Sequence, residues 1–141
     1  MEVTRIFRYF YVPNLGADYK LSNQASISIC FFNLTNDLWF HSPLAASRIN
    51  VALSGTAIQS STGYGGLAER SIDGNNDPQW EHNSCSLTAG QARAWWRLEL
   101  PGVYRVSEIE VTNRNEFGWL LNNVEILIGD SLSNNGNDNP R

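Results

Sequence analysis

The sequence is poor in cations, cysteines and histidines, and each shortage removes a class of function. Ten Lys and Arg stand against fourteen Asp and Glu, a net charge of −4. The cations are also scattered, so the electrostatic footprint of a nucleic-acid binder is missing and no nucleic-acid partner is expected. Two cysteines, Cys30 and Cys85, could form one bridge and define no disulfide framework. The two histidines, His41 and His82, are far apart in the chain, and no nucleophile elbow accompanies either. A zinc site and a hydrolytic triad are both disfavoured, and no enzyme activity is expected. No apolar run approaches the roughly 20 residues that span a bilayer, so no membrane span is expected. The apolar stretch at residues 6–12 is interrupted by Arg8 and reads poorly as a signal peptide. The Gly-rich loop Thr62-Gly63-Tyr64-Gly65-Gly66 has no Lys after it and cannot be a phosphate cradle. It reads as a flexible loop.

What the sequence does have is strand periodicity. The 141 residues suffice for one core. Within residues 95–129 apolar side chains recur at every second position: Trp96, Leu98 and Leu100, then Ile109 and Val111, then Val124, Ile126 and Ile128. Arg97, Glu99, Glu108, Glu110, Thr112 and Glu125 fill the alternate places. Such runs predict strands with one face on a core and one toward water. Three of them, separated by a Pro101-Gly102 break and a short loop through Phe117, Gly118 and Trp119, predict an antiparallel all-β domain. Trp95 and Trp96 are adjacent and must point to opposite faces, so one belongs to the core.

Earlier in the chain, residues 50–61 read as a strand and turn, residues 67–71 as one helical turn, and residues 72–78 as a strong turn signal. Residues 1–49 differ in texture, with aromatic clusters such as Phe31-Phe32 and Trp39-Phe40 but no sustained period; residues 26–32 could form a strand. They read as an N-terminal extension of unclear order, with an added β-hairpin or partner-binding arm as the alternative. Asn33-Leu34-Thr35 is a glycosylation sequon, relevant only to a secreted chain. The polar tail at residues 131–141 reads as disordered on composition.

Three groups of residues could carry chemistry. Asp73, Asn75 and Asp77 alternate in a tight turn and offer the oxygen ligands a hard cation such as calcium prefers. The same spacing suits Asx turns, in which the side chains bond their own backbone. Arg114 ends a strand just before a loop with Glu116, Phe117 and Trp119. A guanidinium can bond two adjacent sugar hydroxyls while aromatic groups cover the sugar's C–H face, and a salt-bridged strand-end Arg is the plainer alternative. His82 reads as a surface residue.

Taken together, Asn50-Val51-Ala52, Gln59-Ser60, Ile72-Asp73-Gly74-Asn75, His82-x-Ser84-Cys85, Trp95 to Leu100, Val111-Thr112-Asn113-Arg114, Glu125-Ile126-x-Ile128-Gly129 and Asn134-Asn135-Gly136 resemble, in order, the F-type lectins. The resemblance covers residues 50–141 and is specific because several spaced motifs agree. It implies an all-β jelly-roll β-sandwich of the galactose-binding-domain-like, discoidin-like kind, binding fucosylated glycans or glycoproteins outside the cell. It divides the chain into residues 1–49, the extension, and residues 50–141, a lectin-like domain incomplete at its C-terminal end, whose missing strands the extension could replace.

The resemblance also assigns residues. Arg114 matches the first sugar-binding Arg, with Glu116, Trp80 and Phe117 expected around the sugar. The family's sugar-binding His falls on Leu87, and its second Arg falls near Leu120. The expected outcome is weakened or lost sugar affinity, with a non-sugar-binding adhesion or protein-interaction module as the alternative function. A structural calcium is implied, held by Asp73, Asn75, Ser84 and the backbone carbonyl of Arg70. The family's C-terminal Cys partner for the Cys85 position is lacking, which implies a thiol at Cys85 with a bond to Cys30 as the alternative. A homo-oligomer would give weak single sites avidity.

Overall fold

The computed structural model describes residues 7–14, 28–29, 31–37, 48–104, 106–121 and 124–140, of which those before residue 49 and Ser107 are described by their backbone only. Cys30, His41, Trp39 and Phe40 lie outside the described residues. In chain order the strands are β1 (Phe7–Asn14), β2 (Ser28–Ile29), β3 (Phe31–Asp37), β4 (Arg48–Asn50), β5 (Thr56–Gln59), β6 (Ser86–Leu87), β7 (Ala94–Tyr104), β8 (Val106–Thr112) and β9 (Leu127–Gly129). Short 3-10 turns lie between them, and among the described residues no helix is long and apolar enough to cross a membrane. One sheet has the order β5-β7-β1-β9, a second β4-β3-β8, and β2 pairs with β6. Every pairing is antiparallel.

β7 anchors the core. Its alternation produces the expected burial: Ala94, Trp96, Leu98 and Leu100 are buried, whereas Trp95, Arg97 and Glu99 are half-buried. Trp96 is the core member of the Trp pair, and its Nε1–H donates to the carbonyl of Ala68 at 3.2 Å. Val51, Ala52, Ala57, Ala68 and Ile72 complete the buried cluster. Half-buried Val106, Ile109 and Val111 of β8, with Val124, Ile126 and Ile128, pack against it. Apolar faces of two sheets thus meet over one core, which makes the fold an all-β sandwich.

The order of strands in the sheets was not legible in the sequence. β7, β8 and β9 follow one another in the chain but do not pair with one another: β7 lies between β5 and β1, β8 pairs with β3, and β9 pairs with β1. Strands from the first 37 residues therefore take interior places in both sheets. The Pro101-Gly102 pair does not end β7. Tyr9 opposes Glu99 and Phe7 opposes Tyr104, so four residues of β7 face one of β1, and the irregularity accommodates a Pro that has no N–H to donate.

Two local expectations are corrected. The polar tail is ordered where it is described. Asn139 is buried, its Nδ2 donates to the carbonyls of Ser131 (2.8 Å) and Gly136 (3.0 Å), and its Oδ1 accepts from the Ser131 amide. Composition alone misses such a side chain because it ties the backbone down without apolar area. Cys85, expected as a thiol, is fully buried and disulfide-bonded. It directly precedes Ser86, the first residue of β6, which opposes Ile29 of β2.

Because Leu98 is fully buried and Leu53 is half-exposed, their truncations should separate. Leu98→Ala is expected to cost about 2–5 kcal/mol, and Leu53→Ala no more than about 0.5 kcal/mol. Urea denaturation followed by tryptophan fluorescence measures both; comparable losses would contradict this placement of the core.

Candidate functional site

Beyond the end of β8, Asn113 shapes the loop that delivers Arg114. Its Oδ1 accepts the Arg114 amide at 2.9 Å, and its Nδ2 donates to the carbonyl of Gly118 at 2.6 Å. The Arg114 side chain is only 8% exposed. Its guanidinium carbon lies 5.2 Å from the centre of the Trp80 ring and 5.0 Å from that of Phe117, so two aromatic faces hold the cation in place. Its Nη2 lies 3.6 Å from a carboxylate oxygen of Glu116, whose side chain is 62% exposed. Its Nε is buried with no hydrogen-bond partner among the described residues. A buried guanidinium with an unsatisfied N–H is poised to donate to a ligand oxygen.

Arg114, Trp80 and Phe117 line a cavity of about 430 Å³ whose walls also include Tyr64, Leu87, Thr88, Trp119 and Leu120. The structure thus brings together Arg114, Trp80 and Phe117, with Glu116 at the Arg114 guanidinium. Leu87 and Leu120, the positions matched to the family's His and second Arg, are in the same wall. Among the described residues of the lining only Arg114 carries a formal charge. Trp119 was named from the sequence only as part of the aromatic loop after Arg114, and Tyr64 was not read as a binding residue; an aromatic centred in a Gly-rich loop was the one signal for it.

That Gly-rich loop is fastened rather than flexible. The Gly63 amide donates to the Leu87 carbonyl at 2.8 Å, and the Leu87 amide donates to the Gly66 carbonyl at 2.9 Å. Gln59 Nε2 donates to the Gly66 carbonyl at 2.8 Å. The glycines are there for closeness: a Cβ on Gly66 would lie 2.6 Å from the Leu87 nitrogen. Between the two fastened glycines Tyr64 is thrust outward, 93% exposed at φ +48°.

The acidic turn forms a ladder of Asx turns. Asp73 Oδ1 accepts the Asn75 amide (2.8 Å), Asn75 Oδ1 accepts the Asp77 amide (3.1 Å), and Asp77 Oδ1 accepts the Gln79 amide (2.9 Å). Buried Ser84 is joined to the end of this ladder, its hydroxyl donating to the Gln79 carbonyl at 2.9 Å, while Arg70 lies in the 3-10 turn before it. Among the described residues no three His, Cys, Asp or Glu are grouped as a metal site. The Pro78 carbonyl accepts the Asn115 amide at 3.0 Å, which fastens the ladder to the Arg114 loop.

Comparison with known proteins agrees with this architecture. A family model described as a NedA-like, galactose-binding domain matches residues 70–139. The chain is 41% identical over 107 residues to Fucolectin-4 of Anguilla japonica, covering 72% of this chain and 59% of that protein. It is 39% identical over 104 residues to Fucolectin of Anguilla anguilla, covering 70% of this chain and 66% of the relative. With Fucolectin-5 of Anguilla japonica the identity is 43% over 98 residues, 65% of this chain and 52% of the relative. The chain therefore spans between half and two thirds of the length of these relatives. No solved structure matches it significantly.

Beside the site, His82 Nδ1 lies 2.6 Å from Asp77 Oδ2, and both side chains are solvent-accessible. This hydrogen bond, reinforced by the charge of Asp77, raises the His82 pKa above its ordinary 6.5. The same bond, followed by that from the Gln79 amide, lowers the Asp77 pKa below its ordinary 3.8. The His82 contribution is complete below pH 6.5 and is lost as pH rises through its elevated value. The Asp77 contribution is complete above pH 3.8 and is lost as pH falls through its depressed value. Stability from the pair is therefore expected to peak between these limits. Removing it with His82→Gln should lower the thermal midpoint more at pH 5.5 than at pH 8.5; an equal effect at both would show that the pair is not formed.

Proposed function

This chain carries an F-type lectin domain, and from that premise we propose that it binds fucose-type glycans through Arg114, weakly for each site, on a fold stabilised by calcium. The observation that carries the reading is the buried Arg114 guanidinium, held between Trp80 and Phe117 with its Nε unsatisfied inside a cavity. Its planar fork suits a pair of neighbouring sugar hydroxyls, with Glu116 able to accept from one of them. Trp80 and Phe117 offer surface to the sugar's C–H face. Leu87 and Leu120 add apolar wall, which suits the methyl group of a deoxy sugar but supplies no further charged donor. Charge-assisted hydrogen bonds contribute about 1.5–3 kcal/mol each, so a site with a single cation is expected to bind a monosaccharide weakly.

The proposed calcium site consists of Asp73, Asn75, Ser84 and the Arg70 carbonyl. All four offer oxygen, the ligand type a hard cation takes. The Asx bonds use one acceptor direction of Asp73 Oδ1 and Asn75 Oδ1, and the Ser84 hydroxyl donates, so lone pairs remain on each. Four protein ligands fall short of the usual six to eight, and water would complete the shell. Since Pro78 ties this turn to Asn115, next to Arg114, a bound cation would also steady the sugar site. An extracellular setting follows from the same reading and is supported by the disulfide at Cys85, since such bonds persist in oxidising compartments. The chain would act by binding, without turnover, and a homo-oligomer would multiply its weak contacts.

Thermal melts of the chain alone, with calcium, and with calcium plus L-fucose test this reading. A ligand specific for the folded state adds about 2.7 kcal/mol at 100 times its Kd, so each addition is expected to raise the midpoint. Arg114→Gln should remove the fucose increment, with affinity falling at least about tenfold, and keep the calcium increment. A melt raised by calcium but indifferent to fucose would favour the adhesion or protein-interaction module. A melt indifferent to calcium would remove the metal from the proposal.

A further inference from the structure

The sequon Asn33-Leu34-Thr35 is used by no part of the candidate sugar site. It is the one Asn-x-Ser/Thr tripeptide of the sequence, and it falls inside β3, the middle strand of the β4-β3-β8 sheet. Residues directly opposed across an antiparallel pair share a face of the sheet. Asn33 opposes Glu110 and Thr35 opposes Glu108, whereas Phe32 opposes Val111 and Leu34 opposes Ile109. The two faces of β8 differ in burial. Ile109 and Val111 are half-buried and pack on the core, and Glu108 and Glu110 are exposed. The register therefore puts Asn33 and Thr35 on the outer face of the sandwich and Leu34 on the core face. A slip of one residue would exchange the two faces.

We infer that Asn33 is a modification site that carries an N-linked glycan over the outer face of the β4-β3-β8 sheet. A bulky, hydrated oligosaccharide cannot enter an apolar core, so a folded chain tolerates an occupied sequon only on a face that meets water. Position 33 satisfies this condition, and position 34 would not. At Asn33 the backbone is paired with β8, and at Thr35 with both β8 and β4, so attachment through a carboxamide nitrogen takes no group from the ladder. The reaction is a group transfer from an oligosaccharide carried on a polyprenyl diphosphate. The Asn33 carboxamide nitrogen bonds to the anomeric carbon of the first sugar and gives up one proton, the bond from that carbon to the diphosphate oxygen breaks, and polyprenyl diphosphate leaves. Thr35 supplies the hydroxyl that the transferase requires two residues on. Such transfer belongs to the secretory pathway, and the disulfide at Cys85 suits the same oxidising setting. Arg114 lies in the loop beyond the end of β8, whereas Asn33 is on a sheet face, so this inference holds or fails independently of the sugar-binding reading.

Expression of the full chain in cultured mammalian cells behind an added secretion leader tests the inference, with glycans released by peptide N-glycosidase in heavy-oxygen water and peptides read by mass spectrometry. The secreted chain is expected to lose the mass of one glycan and to take up the heavy-oxygen label at residue 33. Asn33→Gln and Thr35→Ala should each abolish that loss, and Thr35→Ser, which keeps the hydroxyl, should retain it in part. The glycosylated chain should melt no lower than Asn33→Gln, because a glycan on the outer face displaces no packing. An unmodified residue 33 in the secreted chain would overturn the inference. So would a glycan confined to chain retained inside the cell, the outcome expected of a sequon on the core face.

Discussion

The fold depends on β7 being paired on both sides while burying every second side chain. With β5 along one flank and β1 along the other, most of its backbone groups are satisfied in the sheet. Ala94, Trp96, Leu98 and Leu100 can then leave water without stranding a polar group. The Trp96 indole bonds the Ala68 carbonyl, bringing the short turn at Ala68–Ile72 under the sheet. The acidic turn begins where that segment ends, at Asp73. One strand's register is thus transmitted, through an indole and a 3-10 turn, to a loop beside the site.

The site itself is made by loops fastened to one another rather than to a ligand. The Gly-rich loop is bonded to β6, the Asx ladder is bonded through Pro78 to Asn115, and Asn113 closes the Arg114 loop on Gly118. Each connection uses backbone groups, which leaves Arg114 and the exposed aromatic rings available to a ligand. Among the described residues the Nε of this nearly buried guanidinium has no hydrogen-bond partner, which leaves its N–H available to a ligand oxygen. Two cation–ring contacts hold the guanidinium meanwhile, and they cost no hydrogen-bonding capacity.

Local patterns were read correctly where the determining physics is local. The alternation along residues 94–100 named the buried face of β7, and the Asp-x-Asn-x-Asp spacing named Asx turns as one of its two readings. Arg114 stood out because a strand end before an aromatic loop is where a sandwich presents side chains. Reading failed where the deciding partner is distant. The Gly-rich loop was taken as flexible because its fastenings, Leu87 and Gln59, are outside it. The tail was taken as disordered because its order comes from the hydrogen bonds of a single buried Asn139.

By itself the sequence determined the all-β class, the family, the face of β7 that is buried and the cation at the centre of the candidate site. These follow from period-two burial and from spaced motifs, both of which are carried by neighbours in the chain. Only the tertiary structure decided which strands pair, since β1 and β3 reach their places between strands far away in the sequence. Only the tertiary structure gathered Trp80, Leu87, Arg114, Phe117 and Leu120 around one cavity and set Tyr64 at its edge. Pairing and convergence are set by long-range packing, in which many registers satisfy the same local pattern and only one buries the whole core.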